Sequence, residues 1–120
     1  MRFFNKAQTI PPEEAADALA RGDLLLVDVR DTQERAQTRA AGSVHIPLVE
    51  LSERHDELPR DRQLAFICAS GVRNAMAVKA TARHGLTAAN VKGGLSSWAR
   101  AGLPVETGPE PRASETKRSR

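Results

Sequence analysis

Apolar residues fall along the chain in short blocks, and the spacing within the blocks alternates between two kinds. Leu24-Leu25-Leu26-Val27 and Val29 form a run broken only by Asp28, and Leu64-Ala65-Phe66-Ile67 forms another. Runs of this length without polar alternation fit strands covered on both faces, as in a parallel sheet. Other blocks follow helical spacing. Ala15, Ala16 and Leu19 share one face of a helix predicted over Glu13–Ala20. Pro11-Pro12 and Glu13-Glu14 suit its first turn, and Gly22 suits its end. An alanine-rich stretch from Arg73 to His84 predicts a second long helix, stopped by Gly85. Leu95–Ala101 predicts a last helix after the turn Gly93-Gly94, closed by Gly102 and Pro104.

The weaker signals fill the gaps. Thr9-Ile10, Val44–Ile46 and Ala88–Val91 read as short strands, and Thr32–Gln37 as a short helix. Leu48, Leu51 and His55 or Leu58 recur at helical spacing, which predicts a helix over Pro47–Leu58 before the turn Pro59-Arg60-Asp61. Thr38–Gly42 reads as loop. Strands and helices alternate with short connections, so the expected architecture is α/β: a mostly parallel sheet with helices on both faces.

Composition narrows the function classes. The chain has 120 residues, enough for one domain with a single core. Aromatic residues make up 3%, with no tyrosine, which argues against stacking platforms for single-stranded nucleic acid. A net charge of +3, mostly scattered, gives only a weak basic footprint, and no nucleic-acid partner is expected. One cysteine excludes an intramolecular disulfide. No apolar run approaches a bilayer span, and the start of the chain is too short and polar for a secretory signal, so a cytoplasmic protein without a membrane partner is expected. His45, His55 and His84 and the single cysteine are far apart in sequence and lack ligand spacing, so no metal site is expected. Residues 1–8 read as an N-terminal extension and 9–105 as the domain. Residues 106–120, without a large apolar side chain, read as a disordered basic tail.

Candidate chemistry concentrates where the second apolar run ends. Cys68 follows Ile67 directly, and Ala69, Ser70, Gly71 and Val72 lead to Arg73 and the alanine-rich helix. A lone cysteine after an apolar strand is often a small buried hydrophobe. This one sits at the end of its strand. Gly71 allows a tight left-handed turn, and the free amides of a helix start can form an anion nest. Arg73 is either an exposed first-turn arginine or a fork folded over the loop, suited to bidentate binding of an oxyanion. Asp28, Arg30 and Glu34 form a third group with a structural role expected. A buried carboxylate at Asp28 needs hydrogen bonds from a neighbouring loop or an arginine partner, with Arg30 and Glu34 as one candidate pairing or a surface ion pair. Trp98 is expected in the core, and His45 and His84 in packing or capping.

Four segments, in order, resemble the rhodanese family of sulfurtransferases: Leu25–Asp31 with Glu34, Gly42–Pro47, Cys68–Arg73, and Val91–Leu95 with Trp98 and Gly102–Val105. The resemblance spans about Ile10 to Val105. It implies a doubly wound domain with a five-stranded sheet. It further implies that Cys68 is the nucleophile, taking sulfur from a donor such as thiosulfate as a persulfide and passing it to cyanide or a thiol. The amides of Ala69 to Arg73 would hold the persulfide, and no metal or organic cofactor is implied. The implied partners are small sulfur donors and thiol acceptors, with a protein acceptor as a further option. Two departures stand out. Arg39-Ala40-Ala41 occupies the start of the second motif and is expected to change only a loop rim. No cation lies between Cys68 and Arg73, which makes a persulfide donor as suitable as thiosulfate. The alternatives are a persulfide carrier or interaction module, and a phosphatase or arsenate reductase. The phosphatases related to this family have a loop one residue longer, which fits a phosphoryl group, whereas four residues between Cys68 and Arg73 fit a sulfur atom.

Overall fold

The computed structural model describes residues 9–110. The expected N-terminal extension and the end of the expected tail lie outside those residues. Five parallel strands form the main sheet in the order β1-β6-β5-β2-β4. They are β1 Thr9–Ile10, β2 Leu24–Asp28, β4 Val44–His45, β5 Gln63–Ile67 and β6 Ala89–Val91. The apolar runs of β2 and β5 lie side by side in the middle, with Leu24 opposite Gln63 and Asp28 opposite Ile67. The carboxyl ends of the two central strands, where open α/β sheets place their sites, are therefore adjacent.

Four helices connect the strands: α1 Pro12–Ala20, α2 Thr32–Gln37, α3 Val72–Ala82 and α4 Gly94–Arg100. The core has two halves, one on each face of the sheet. Ile10, Leu24, Leu26, Ile67 and Trp98 belong to one half, under α1 and α4. Val27, Val29, Leu51, Phe66 and Ala77 belong to the other, under α3. Two buried layers explain why the central strands carry unbroken apolar runs. Trp98 is 1% exposed, and its indole donates to the Pro104 carbonyl at 2.8 Å. Among the described residues no helix is long and apolar enough to cross a membrane.

Three segments differ from the sequence expectation. Pro47–Leu58 is not one helix; it contains two short 3-10 turns, Leu48–Glu50 and His55–Glu57. The spacing of Leu51 and Leu58 reports that both are buried, not that one helix joins them. Thr38–Gly42 is not all loop, because Thr38–Ala40 is strand β3. Its antiparallel partner is β7, Val105–Thr107, with Arg39 opposite Glu106. Glu106 and Thr107 are therefore strand residues and not the beginning of a disordered tail. They bury almost no apolar surface, so composition could not reveal them; a backbone ladder and ion pairs hold them instead.

Candidate functional site

Cys68 is the first residue beyond β5. Side chains alternate across a strand, so Leu64, Phe66 and Cys68 face the α3 half of the core while Ala65 and Ile67 face the other. The thiol is 1% exposed, and in this sense the inert reading of a small buried hydrophobe has a structural basis. Its polar surroundings are not those of a plain core residue. The chain turns at Gly71, whose φ of 103° lies in the region that side chains rarely adopt. That turn points the Gly71 N–H at the Cys68 Sγ, 3.0 Å away. The next residue, Val72, begins α3, so the sulfur lies at the positive end of an 11-residue helix.

The loop is also fixed from outside by α4. Leu95 N–H donates to the Cys68 carbonyl at 2.7 Å, and Ser96 N–H donates to the Ala69 carbonyl at 3.1 Å. Two orphan amides of the α4 start are thereby satisfied by the loop that carries the thiol. The approach needs Gly94: a Cβ there would stand 2.3 Å from the Cys68 oxygen and 2.8 Å from the Ala69 carbonyl carbon. The sequence marks Gly93-Gly94 only as a turn. Its contact with the cysteine loop is a tertiary one, made by the backbone bonds from the α4 start to the loop after β5, and the glycine pair is the one available signal. Beside Ala69 lies a shallow cavity of about 240 Å³, with Thr38, Leu95 and Val105 among its walls.

Arg73 does not hold an open fork over the loop mouth. Its Nη1 and Nη2 donate to the two carboxylate oxygens of Glu34 at 2.7 and 2.9 Å. Glu34 belongs to a capping box with Asp31 at the start of α2. The ion pair therefore ties the connection after β2 to the loop after β5. Hydrogen bonding from Arg73 is the main cause that pulls the Glu34 carboxyl down to about 2. Glu34 in turn raises the Arg73 guanidinium above its ordinary value.

Asp28 and Arg30 form a separate, buried pair. Arg30 Nε donates to Asp28 Oδ1 at 3.0 Å and Nη2 to Oδ2 at 2.8 Å, with both side chains nearly inaccessible. The Arg30 backbone N–H adds a third bond to Asp28 Oδ1. The candidate pairing of Arg30 with Glu34 is thus replaced by two pairs, Asp28–Arg30 and Glu34–Arg73. His45 Nε2 contacts the Arg30 carbonyl oxygen at 2.7 Å, a packing role in line with expectation. His84, just past the end of α3, stacks on His55 with ring centroids 3.8 Å apart, a packing role in line with expectation. Buried Asn74 donates to the Val91 carbonyl and fastens α3 to β6. Among the described residues no cluster of three metal-ligating side chains occurs.

Sequence reasoning also missed Arg35, Arg39 and Ser43, all buried. Arg35 donates to Ser43 Oγ at 2.7 Å and reaches Asp28 at 3.4 Å. The segment Arg39–Ala41, expected to alter only a loop rim, instead places Arg39 4% exposed under the C-terminal strand.

These features coincide with a known family. The model of the rhodanese-like domain matches residues 11–101. A sulfurtransferase of Allochromatium vinosum is 36% identical over 84 residues, 69% of this chain and 78% of that protein. The thiosulfate sulfurtransferase GlpE of Actinobacillus succinogenes is 32% identical over 99 residues, 82% of this chain and 89% of that protein. The crystal structure of a rhodanese-related protein from Thermoplasma volcanium superposes with a TM-score of 0.74 at 34% identity, covering 82% of this chain and 97% of the other. The match spans both central strands, the cysteine loop and the α4 start that fixes it, and by it this chain belongs to the rhodanese-like domain family of sulfurtransferases.

Proposed function

We propose that the protein is a sulfurtransferase that carries sulfane sulfur as a persulfide on Cys68, with thiosulfate as one donor. The observation that carries this reading is the Gly71 N–H aimed at the Cys68 Sγ from 3.0 Å, at the start of α3. An amide in that position favours negative charge on Sγ, which develops when Cys68 acts as the attacking thiolate and again when it departs as the leaving group.

In the first half-reaction the Cys68 thiolate attacks the outer sulfur of thiosulfate. A bond forms between Sγ and that sulfur, the S–S bond of thiosulfate breaks, and sulfite leaves with the electron pair. In the second, cyanide or a thiolate attacks the terminal sulfur, and the Cys68 thiolate departs as leaving group. The backbone of Ala69, Ser70, Gly71, Val72 and Arg73 forms the cradle for the transferred atom. Arg73 acts by positioning, since its fork is committed to Glu34. Asp28 and Arg30 hold the end of β2 beside the loop.

The test is intact-mass spectrometry after incubation with thiosulfate and desalting. Wild type is expected to gain one sulfur atom that dithiothreitol removes, and Cys68→Ser to gain none. An unmodified wild type with thiosulfate and with an organic persulfide would overturn the reading.

A further inference from the structure

On the sheet face opposite the Cys68 thiol, three arginines are buried with one carboxylate. Arg30, Arg35 and Arg39 are each 4% exposed, and Asp28 is the sole acidic side chain buried among the described residues. Arg30 already takes both Asp28 oxygens. Arg35 touches Asp28 only at 3.4 Å. Isolated charges in such surroundings are costly, so the two remaining guanidiniums need anions.

The C-terminal segment supplies them. Glu110 Oε1 accepts from Arg35 Nε at 2.7 Å, and Glu106 Oε1 accepts from Arg39 Nε at 3.3 Å. The Gly108 carbonyl accepts from Arg39 Nη1 at 2.6 Å. Arg35 also draws the Glu110 carboxyl below its usual range. The guanidiniums are only 5% exposed, but the two glutamate side chains are 43% and 56% exposed. Segment 105–110 is joined by the short β3–β7 ladder and one further backbone bond, Gly108 N–H to the Gln37 carbonyl. It buries little apolar surface, the condition under which a segment opens locally at small cost. Arg35 and Arg39 do not have that freedom, because Ser43 and the Arg35 carbonyl hold them.

We propose that Arg35 and Arg39 form a second anion-binding site, filled here by the chain's own Glu106 and Glu110, and that a tetrahedral oxyanion takes their place when segment 105–110 lifts. Two planar forks fixed in place suit an oxyanion with several acceptor oxygens. The tethered carboxylates compete with it, so the free anion binds weakly while they are present. The site does not include Cys68, whose side chain lies on the other face.

Thermal unfolding with sulfate as the probe, against chloride at equal ionic strength, tests the proposal. Sulfate stabilises folded proteins in general by exclusion from their surface, so Leu58→Ala, a core variant with the segment intact, serves as the reference. Glu106→Gln/Glu110→Gln is expected to melt below wild type in chloride, and sulfate is expected to restore most of that loss with a midpoint about tenfold lower than in wild type. Its persulfide formation at Cys68 should be unchanged. An equal sulfate response in the double variant and in Leu58→Ala would overturn the proposal, as would a double variant that melts with wild type in chloride. Should the double variant not fold, Glu110→Gln alone is read by the same criteria.

Discussion

Two arginine–carboxylate anchors flank the end of β2, and they differ in almost every respect. Arg73–Glu34 lies at the rim of the cysteine loop, with side chains 33% and 32% exposed. Arg30–Asp28 lies under the sheet, with side chains 5% and 1% exposed. The outer pair joins two loops and can be lost without leaving a buried charge. The inner pair cannot, because loss of Asp28 leaves the Arg30 guanidinium buried without a carboxylate, and loss of Arg30 leaves buried Asp28 only the 3.4 Å contact with Arg35. The comparison separates two jobs that one motif performs: the outer anchor shapes the site, and the inner one holds the fold that the site stands on.

The largest expected effect is on the inner anchor. Asp28→Asn leaves Arg30 without its carboxylate and should cost about 3–5 kcal/mol in urea unfolding, as for other broken buried pairs. A loss below about 1 kcal/mol, the range of exposed pairs, would abolish the distinction between the anchors. Next comes the packing beneath the loop. Gly94→Ala places a methyl group against the Cys68 and Ala69 carbonyls and must displace the loop. Its expected signature is a drop in persulfide formation of at least about tenfold, the scale at which small displacements act on reacting groups. Unchanged turnover would show that the loop tolerates a second position.

The smallest effect concerns the outer anchor and its pH dependence. The folded-state carboxyl of Glu34 lies at about 2, below its ordinary value of 4.5. Its contribution is therefore present above pH about 4.5 and is lost as the pH falls from there toward 2. Wild type should lose melting temperature across that interval, and Glu34→Gln should lose less of it. The difference should be modest because the pair is a third exposed, and smaller still at high salt. Parallel curves for the two proteins would remove Glu34 from the account.

The same contrast sorts what could be read from the residues. The unbroken apolar runs of β2 and β5 and the step from Ile67 through Gly71 into α3 are local patterns, and each locates its element without knowledge of the rest. Cys68 at a strand end, Gly71 at the turn and Arg73 in the first helical turn follow from that local reading. The partner of Arg73 does not, since Glu34 is 39 positions away. Pro47–Leu58 failed for a related reason: burial of Leu51 and Leu58 imitates helical spacing in a segment built from two 3-10 turns.

By itself, then, the sequence determined the alternation of strands and helices, the position of the thiol and the glycine that turns the chain beside it. Those depend on spacing and on backbone preference, which neighbouring residues express. Only the tertiary structure decided which carboxylate each arginine holds, why Gly94 must lack a side chain, and that residues 105–107 close a ribbon on β3. Arg39 meets Glu106 across 67 positions and Arg35 meets Glu110 across 75. A charged residue in sequence has many candidate partners at such distances, and desolvation in the folded core selects among them.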